Sequence, residues 1–168
     1  MLHSRPMRSS AKRAPRPSPS ASWDNPLDQL LGYQLRRASF AMLSDLSAGI
    51  GKLDLRITEM SVLMVIHANP DISQSDIGRV LGIQRANMVP LITQLERRTL
   101  VSRGETRGRA QSLRLTPEGE ALVRRCREAI AEHEARYTKL FSPKERQDLL
   151  RCLPRIWQDD MLPEESDL

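Results

Sequence analysis

The chain has 168 residues, 4% of them aromatic, and its 26 Lys and Arg outnumber its 21 Asp and Glu for a net charge of +5. That length suits one ordinary domain, the positive excess favours a polyanionic partner, and so few aromatics argue against a surface that stacks the bases of single strands. No apolar run reaches membrane-span length and the basic N-terminus lacks an apolar stretch, so neither a spanning helix nor a secretory signal is read and a cytoplasmic protein is expected.

Residues 1–22 hold Arg5, Arg8, Lys12, Arg13 and Arg16 among prolines and serines, with no acidic residue. Such a segment has too little apolar surface to fold and reads as a disordered basic tail, able to add phosphate contacts. From Pro26 to about Gly49 the pattern is helical. Leu27, Leu30, Leu31, Leu35, Ala38, Met42 and Leu46 form one stripe, Asp24 or Asn25 caps its start, and Gly49 and Gly51 end it. Tyr33, Arg36, Arg37 and Phe40 fall on a second, mixed face.

A second helix is predicted from Thr58, its cap, to Ala68, with Met60, Leu63, Met64 and His67 toward a core and Asn69-Pro70-Asp71 as its stop. The next is capped by Ser73 with Asp76 three residues on, buries Ile77, Val80 and Leu81, and turns at Gly82. A fourth spans about Gln84 to Arg98. Met88, Leu91, Ile92 and Leu95 point inward, Gln84, Arg85, Asn87 and Thr93 or Gln94 outward, and Pro90 is a local conflict.

Residues 101–105 and 112–116 alternate as two short strands around an arginine-rich tip. Thr116-Pro117-Glu118 then restarts a long helix, with Leu122, Cys126, Ala129, Ile130, His133, Tyr137 and Leu140 along one face. Ser142-Pro143-Lys144-Glu145 is a capping box for a last apolar helix that Pro154 bends or shortens. The acidic end at 159–168 reads as frayed.

Helix, capped helix, glycine turn, helix and two strands in this order make a winged helix-turn-helix. The expected fold is mainly α with a small β-hairpin wing: six helices, of which those at 23–50 and 117–158 form a dimerisation region around a reader at 54–116. The apolar stripes at both ends call for a partner, most simply a second copy across a two-fold axis.

Several motifs resemble one family: Leu115-Thr-Pro-Glu-Gly119 opening the long helix, Leu95-Glu-Arg-Arg-x-Leu-Val101 ending the fourth, and Phe141-Ser-Pro-Lys-Glu-Arg146 opening the last. With the order of elements they resemble MarR-family transcription regulators over about residues 27–157. The resemblance implies a homodimer on a palindromic operator, usually a repressor released by a small anionic aromatic ligand. Two departures stand out. Val89-Pro90 occupies places where the family often has Ser or Thr followed by Arg, and Arg107-Gly108-Arg109 replaces an Asp-x-Arg wing.

The expected partners are a double-stranded operator, a second copy, and an aromatic carboxylate or aromatic acyl-CoA effector. Ser73, Gln74, Ser75, Arg97 and Arg103 are expected on phosphates, Gln84, Arg85, Asn87 and Thr93 on bases, and Arg107 and Arg109 in the minor groove. Tyr33, Arg36, Arg37 and Phe40 facing Met60, Met64 and His67 would give the effector apolar walls and cations. Two alternatives fit the same residues: a redox-sensing repressor using Cys126 or Cys152, otherwise read as buried or half-buried thiols, and an architectural binder indifferent to sequence. His3, His67 and His133 show no metal spacing, and the chain has no nucleophile–base pair, carboxylate dyad or phosphate loop, so neither an enzyme nor a cofactor is expected.

Overall fold

The computed structural model describes residues 24–107 and 110–158. The elements are α1 (Leu31–Gly51), α2 (Ile57–Ala68), β1 (Ile72–Ser73), α3 (Gln74–Leu81), α4 (Arg85–Arg97), β2 (Val101–Arg107), β3 (Ala110–Leu115), α5 (Pro117–Thr138), α6 (Pro143–Cys152) and α7 (Pro154–Trp157). The two expected tails lie outside the described residues. The chain divides into two compact units, Met1–Arg37 and Ala38–Leu168.

In the first unit α1 starts at Leu31, five residues after the expected Pro26. The Asn25 side chain does cap, but it closes a local turn rather than a helix. Its Oδ1 accepts from the Leu27 amide at 3.1 Å, and its Nδ2 donates to Asp28 Oδ1 at 2.7 Å and to Tyr33 Oη at 3.1 Å. Asp28 N–H bonds the Asn25 carbonyl and Leu30 N–H the Leu27 carbonyl, a three-residue spacing that winds turns before a helix begins. Leu27, Leu30 and Leu31 are 43%, 53% and 70% exposed.

The second unit builds its core from Ile50, Leu63, Ile66, Ile77, Met88, Ile92, Leu95, Leu113 and Val123, each no more than 1% exposed. These come from α1, α2, α3, α4, β3 and α5, so the helix-turn-helix and the long helix share one core. α3 buries Ile77 and Gly78, whereas Val80, expected inside, is 64% exposed. The sheet holds one strand more than the expected hairpin. β1 pairs antiparallel with β3 (Ile72 opposite Leu113), and β3 pairs with β2 (Val101 opposite Leu115) up to a register irregularity between Arg103 and Thr106. A two-residue strand has too little alternation to show in a sequence.

α5 is locked at both ends. Thr116 Oγ1 accepts from the Gly119 amide at 3.1 Å, and the Leu100 carbonyl accepts from Thr116 N–H at 3.1 Å. A Cβ on Gly119 would lie 2.1 Å from that carbonyl oxygen. Near the other end His133, 3% exposed, sets Nδ1 2.7 Å from Asp45 Oδ2 on α1, and Arg136 Nη2 donates to the same oxygen at 2.6 Å. Tyr137 Oη adds a bond to the Ala41 carbonyl at 3.2 Å. Ser142 and Glu145 form the expected capping box on α6, and the chain breaks before Pro154, leaving α7 as a short separate turn.

Two stability predictions follow from these locks. Gly119→Ala forces its Cβ onto the Leu100 carbonyl and should cost about 1–3 kcal/mol, read as a lower denaturant midpoint with unchanged m. At Asp45, the bond from His133 first, then Arg136, holds the carboxyl below its ordinary value of 3.8. Its contribution is thus present above the unfolded value and lost as pH falls through the lower folded one. Asp45→Asn should destabilise the protein at neutral pH, and the gap to wild type should close as pH drops below about 4.

Candidate nucleic-acid interface

The turn between α3 and α4 depends on two glycines. Gly82 stands at φ +64°, the left-handed region that a side chain disfavours, and Ile83 N–H bonds back to the Gly78 carbonyl at 2.8 Å. A Cβ on Gly78 would lie 2.9 Å from the Ile83 carbonyl oxygen. Glycine at both places lets the second helix leave the first without a gap.

At the start of α3 Ser73 Oγ accepts from the Asp76 amide at 3.1 Å and donates to Asp76 Oδ2 at 2.6 Å. The hydroxyl proton of Ser73 is therefore committed to the cap. The same bond, followed by Arg79 Nη1 at 2.7 Å, holds the Asp76 carboxyl below its usual value. Gln74 and Ser75 occupy the first turn, where helix amides point outward to an anion. They border a cleft of about 600 Å³ that Arg79, Arg85 and Val89 line from the helices and Arg103 and Gln111 from the wing.

α4 presents the main outward surface. Met88, Ile92 and Leu95 are buried, while Gln84, Arg85, Ala86, Asn87, Val89 and Pro90 are exposed around the first two turns. Arg85 has no hydrogen-bond or ion-pair partner among the described residues. Pro90 lies inside the helix without ending it, since only one backbone bond is lost and its ring faces outward. Thr93 is half-buried and donates its hydroxyl to the Val89 carbonyl at 2.9 Å, so it has no proton left for a base. Arg97 is exposed in the last turn, about 18 Å along the axis from Arg85 at 1.5 Å per residue.

Arg103, expected on a phosphate, has the geometry of a strut. Its Nε and Nη2 donate to the two oxygens of Glu96 at 2.6 and 2.9 Å, and Nη1 donates to Gln111 Oε1 at 2.9 Å. The fork joins α4 to both strands of the wing, and Glu96 raises the guanidinium's pKa further. The backbone of Arg107 pairs with Ala110 at the end of the hairpin, and Arg109 lies outside the described residues.

Of the residues expected to hold an effector, Tyr33, Arg36 and Arg37 cluster in the first unit, the two guanidinium carbons 5.3 and 5.6 Å from the Tyr33 ring centroid. In the second unit Phe40 is 74% exposed beside Leu43 and Ile57, Met60 is packed in the core and Met64 is half-buried. His67 Nδ1 lies 2.9 Å from Glu120 Oε2 on α5. Cys126 is fully buried and burial pushes its thiol up, while Cys152 is exposed rather than buried. Among the described residues no group of three or more His, Cys, Asp or Glu could hold a metal ion, and no helix is long and apolar enough to cross a membrane.

Sequence reasoning missed Glu59, which is 2% exposed and shares a cleft with Asn87, Pro90 and Gln94 of α4. Its Oε2 accepts from the Arg56 amide at 2.7 Å, and Oε1 lies 3.9 Å from Arg98 Nη1. The spacing Arg56-x-x-Glu59 is the available signal: a carboxylate three residues into a helix, reaching back to the amide before it. Arg79, Val89 and Gln111 were also overlooked as cleft residues.

Residues 53–112 match a sequence model of a family described as the MarR family. A transcriptional regulatory protein for the hcr operon of Thauera aromatica is 28% identical over 133 residues, 77% of this chain and 80% of the relative. Two solved structures of the transcriptional repressor CouR are closely similar in fold. One, bound to a 23-mer DNA duplex, is 35% identical at a TM-score of 0.73, covering 78% of this chain and 94% of that one. The other, bound to p-coumaroyl-CoA, is 36% identical at a TM-score of 0.71, covering 79% and 95%.

The strut can be separated from a direct phosphate contact by sign. If Arg103 aligns the wing through Glu96, Glu96→Ala and Arg103→Ala should each weaken duplex binding several-fold, and the double variant should be no worse than either. If Arg103 instead contacts DNA by itself, Glu96→Ala frees a cation, removes an anion and should strengthen binding. Fluorescence anisotropy at fixed salt distinguishes the two.

Proposed function

The chain belongs to the MarR family of transcriptional regulators, and from that premise we propose that it is an effector-released repressor. As a homodimer in the cytoplasm it reads a palindromic operator, and an aromatic acyl thioester of coenzyme A makes it leave. It acts as a regulator and not as an enzyme.

The observation that carries the DNA reading is the surface of α4, whose first two turns expose Arg85 and Asn87 over a buried Met88, Ile92 and Leu95. Arg85 suits guanine, and Asn87 and Gln84 suit adenine, in the major groove. Gln74, Ser75 and Arg97 supply phosphate contacts that set the register. Arg107 and Arg109 enter the minor groove. Ser73 and Arg103 hold the two helices and the wing in place for these contacts. A sequence-indifferent binder would have no need of so ordered a reader.

The dimer reading rests on α6 and α7, none of whose residues is buried. Leu149, Leu150, Leu153, Ile156 and Trp157 are 37–61% exposed, an apolar surface that a second copy would cover. Two-fold symmetry would then set the recognition helices about 34–36 Å apart, one turn of DNA.

The thioester is preferred over a free aromatic acid because the CouR structure at 36% identity holds p-coumaroyl-CoA. Tyr33 offers a ring for stacking, and Arg36 and Arg37 beside it offer guanidinium groups to phosphates and carboxylates. No comparable observation favours the redox alternative, since burial raises the Cys126 thiol away from the reactive thiolate.

Addition of p-coumaroyl-CoA or a related aromatic acyl-CoA should weaken operator binding at least about fivefold, the lower range for coupled sites. Arg36→Ala with Arg37→Ala should keep operator affinity yet need more ligand for the same release. Titration calorimetry and anisotropy check both. If neither the thioesters nor free aromatic acids bind or alter DNA affinity, the effector reading falls while the operator reading stands.

A further inference from the structure

We infer that Val89, with Ala86 and Pro90 beside it, reads the 5-methyl group of a thymine in the major groove. The inference rests on the proposed seating of α4 and goes beyond it by assigning a specificity contact to an apolar group. The polar residues around it would specify guanine or adenine, and none of them can distinguish thymine by its methyl.

The surface itself supplies the argument. Ala86, Val89 and Pro90 stand three and four residues apart, so they are neighbours on one face of α4, and all three are exposed. Val89 is 50% exposed although the helix has a well-filled core a residue away at Met88, 1% exposed. It lines the cleft together with Arg85, one turn earlier on the same ridge. Thr93, one turn later on that ridge, has turned its hydroxyl back to the Val89 carbonyl. The ridge that runs from Arg85 through Val89 to Thr93 therefore offers no free hydrogen-bond donor beyond Arg85, and Asn87 stands to one side of it.

A base edge meeting such a surface must have little to lose there. Pairing the patch with guanine or cytosine would leave a base N–H₂ or carbonyl without a partner against a hydrocarbon surface. The thymine methyl is the one apolar group that the major groove presents, and alanine-like or branched side chains suit it. Pro90 adds to the fit, because its exposed ring is apolar and rigid.

The test uses the full chain. An operator is first selected from random duplex with the wild-type protein, and each of its thymines is then replaced by deoxyuridine, which pairs identically but lacks the methyl. At one symmetry-related thymine the replacement should cost wild type about fourfold per half-site, the effect of one buried methyl-sized group. Val89→Ala should bind the thymine operator about as weakly as wild type binds the deoxyuridine one, and should not distinguish the two. Val89→Ala is on the exposed face of a helix that favours alanine, and an unchanged melting temperature verifies its fold. If every thymine tolerates deoxyuridine, or Val89→Ala shows the same losses as wild type, the inference is overturned. If selection returns no preferred sequence, the operator reading itself has failed and takes this inference with it.

Discussion

The junction at Leu100 is the constraint on which the rest of the second unit depends. Its N–H bonds the Leu95 carbonyl and so finishes α4, its carbonyl accepts from Thr116 and so starts α5, and Val101 next to it opens the wing opposite Leu115. Thr99, at φ +53°, makes the bend, and its carbonyl receives the Thr116 hydroxyl. Four elements thus converge on two residues, and Gly119 is needed because a side chain there would occupy the place of the Leu100 oxygen. A close backbone approach of this kind explains the glycine in Leu115-Thr-Pro-Glu-Gly119 physically, without appeal to the family that shares it.

The reader built on this junction has a surface that is less basic than its composition suggests. Arg79 is paired with Asp76, Arg103 with Glu96, and Arg114 with Asp71, so three guanidinium groups near the cleft or wing already have carboxylate partners. Paired arginines give direction rather than net charge, and Arg103 ties α4 to the strands. Arg85 stands apart as a cation on the first turn without such a partner among the described residues. The arginines that brace the fold and the one left open to a partner are thus different residues, a division that a count of charges cannot reveal.

Much of this was legible in the chain. The caps at Ser73, Thr116 and Ser142, the turn at Gly82 and the break at Pro154 are local chemistry, and each appears where its residue type requires it. What stayed hidden depends on partners distant in sequence. Ile72 and Ser73 are a strand only because Leu113 and Ser112 lie opposite them. Val80 fits the helical period of a buried face, yet α3 turns Ile77 and Gly78 inward and leaves Val80 exposed. Arg103 looks like any surface cation until Glu96 is placed beside it. α1 starts later than its apolar stripe for a local reason: Asn25 and Asp28 satisfy their groups in a turn, and a helix gains nothing by beginning there.

α5 joins α1 to the winged part of the second unit through contacts at both of its ends. At its first turns Glu120 meets His67 of α2, and Gly119 abuts the Leu100 junction. Farther along, His133 and Arg136 hold Asp45 of α1. Each link is a polar pair of defined geometry, whereas Val123 and Cys126 between them are packed into the reader's own core. A packed core resists continuous deformation, so a shift of α1 against α5 is passed on as a rigid displacement rather than absorbed. The lever then ends at the residues that fix the base of the wing and the end of α4. The Asp45–His133 contact and the glycine junction thus stand at the two ends of one helix packed into that core.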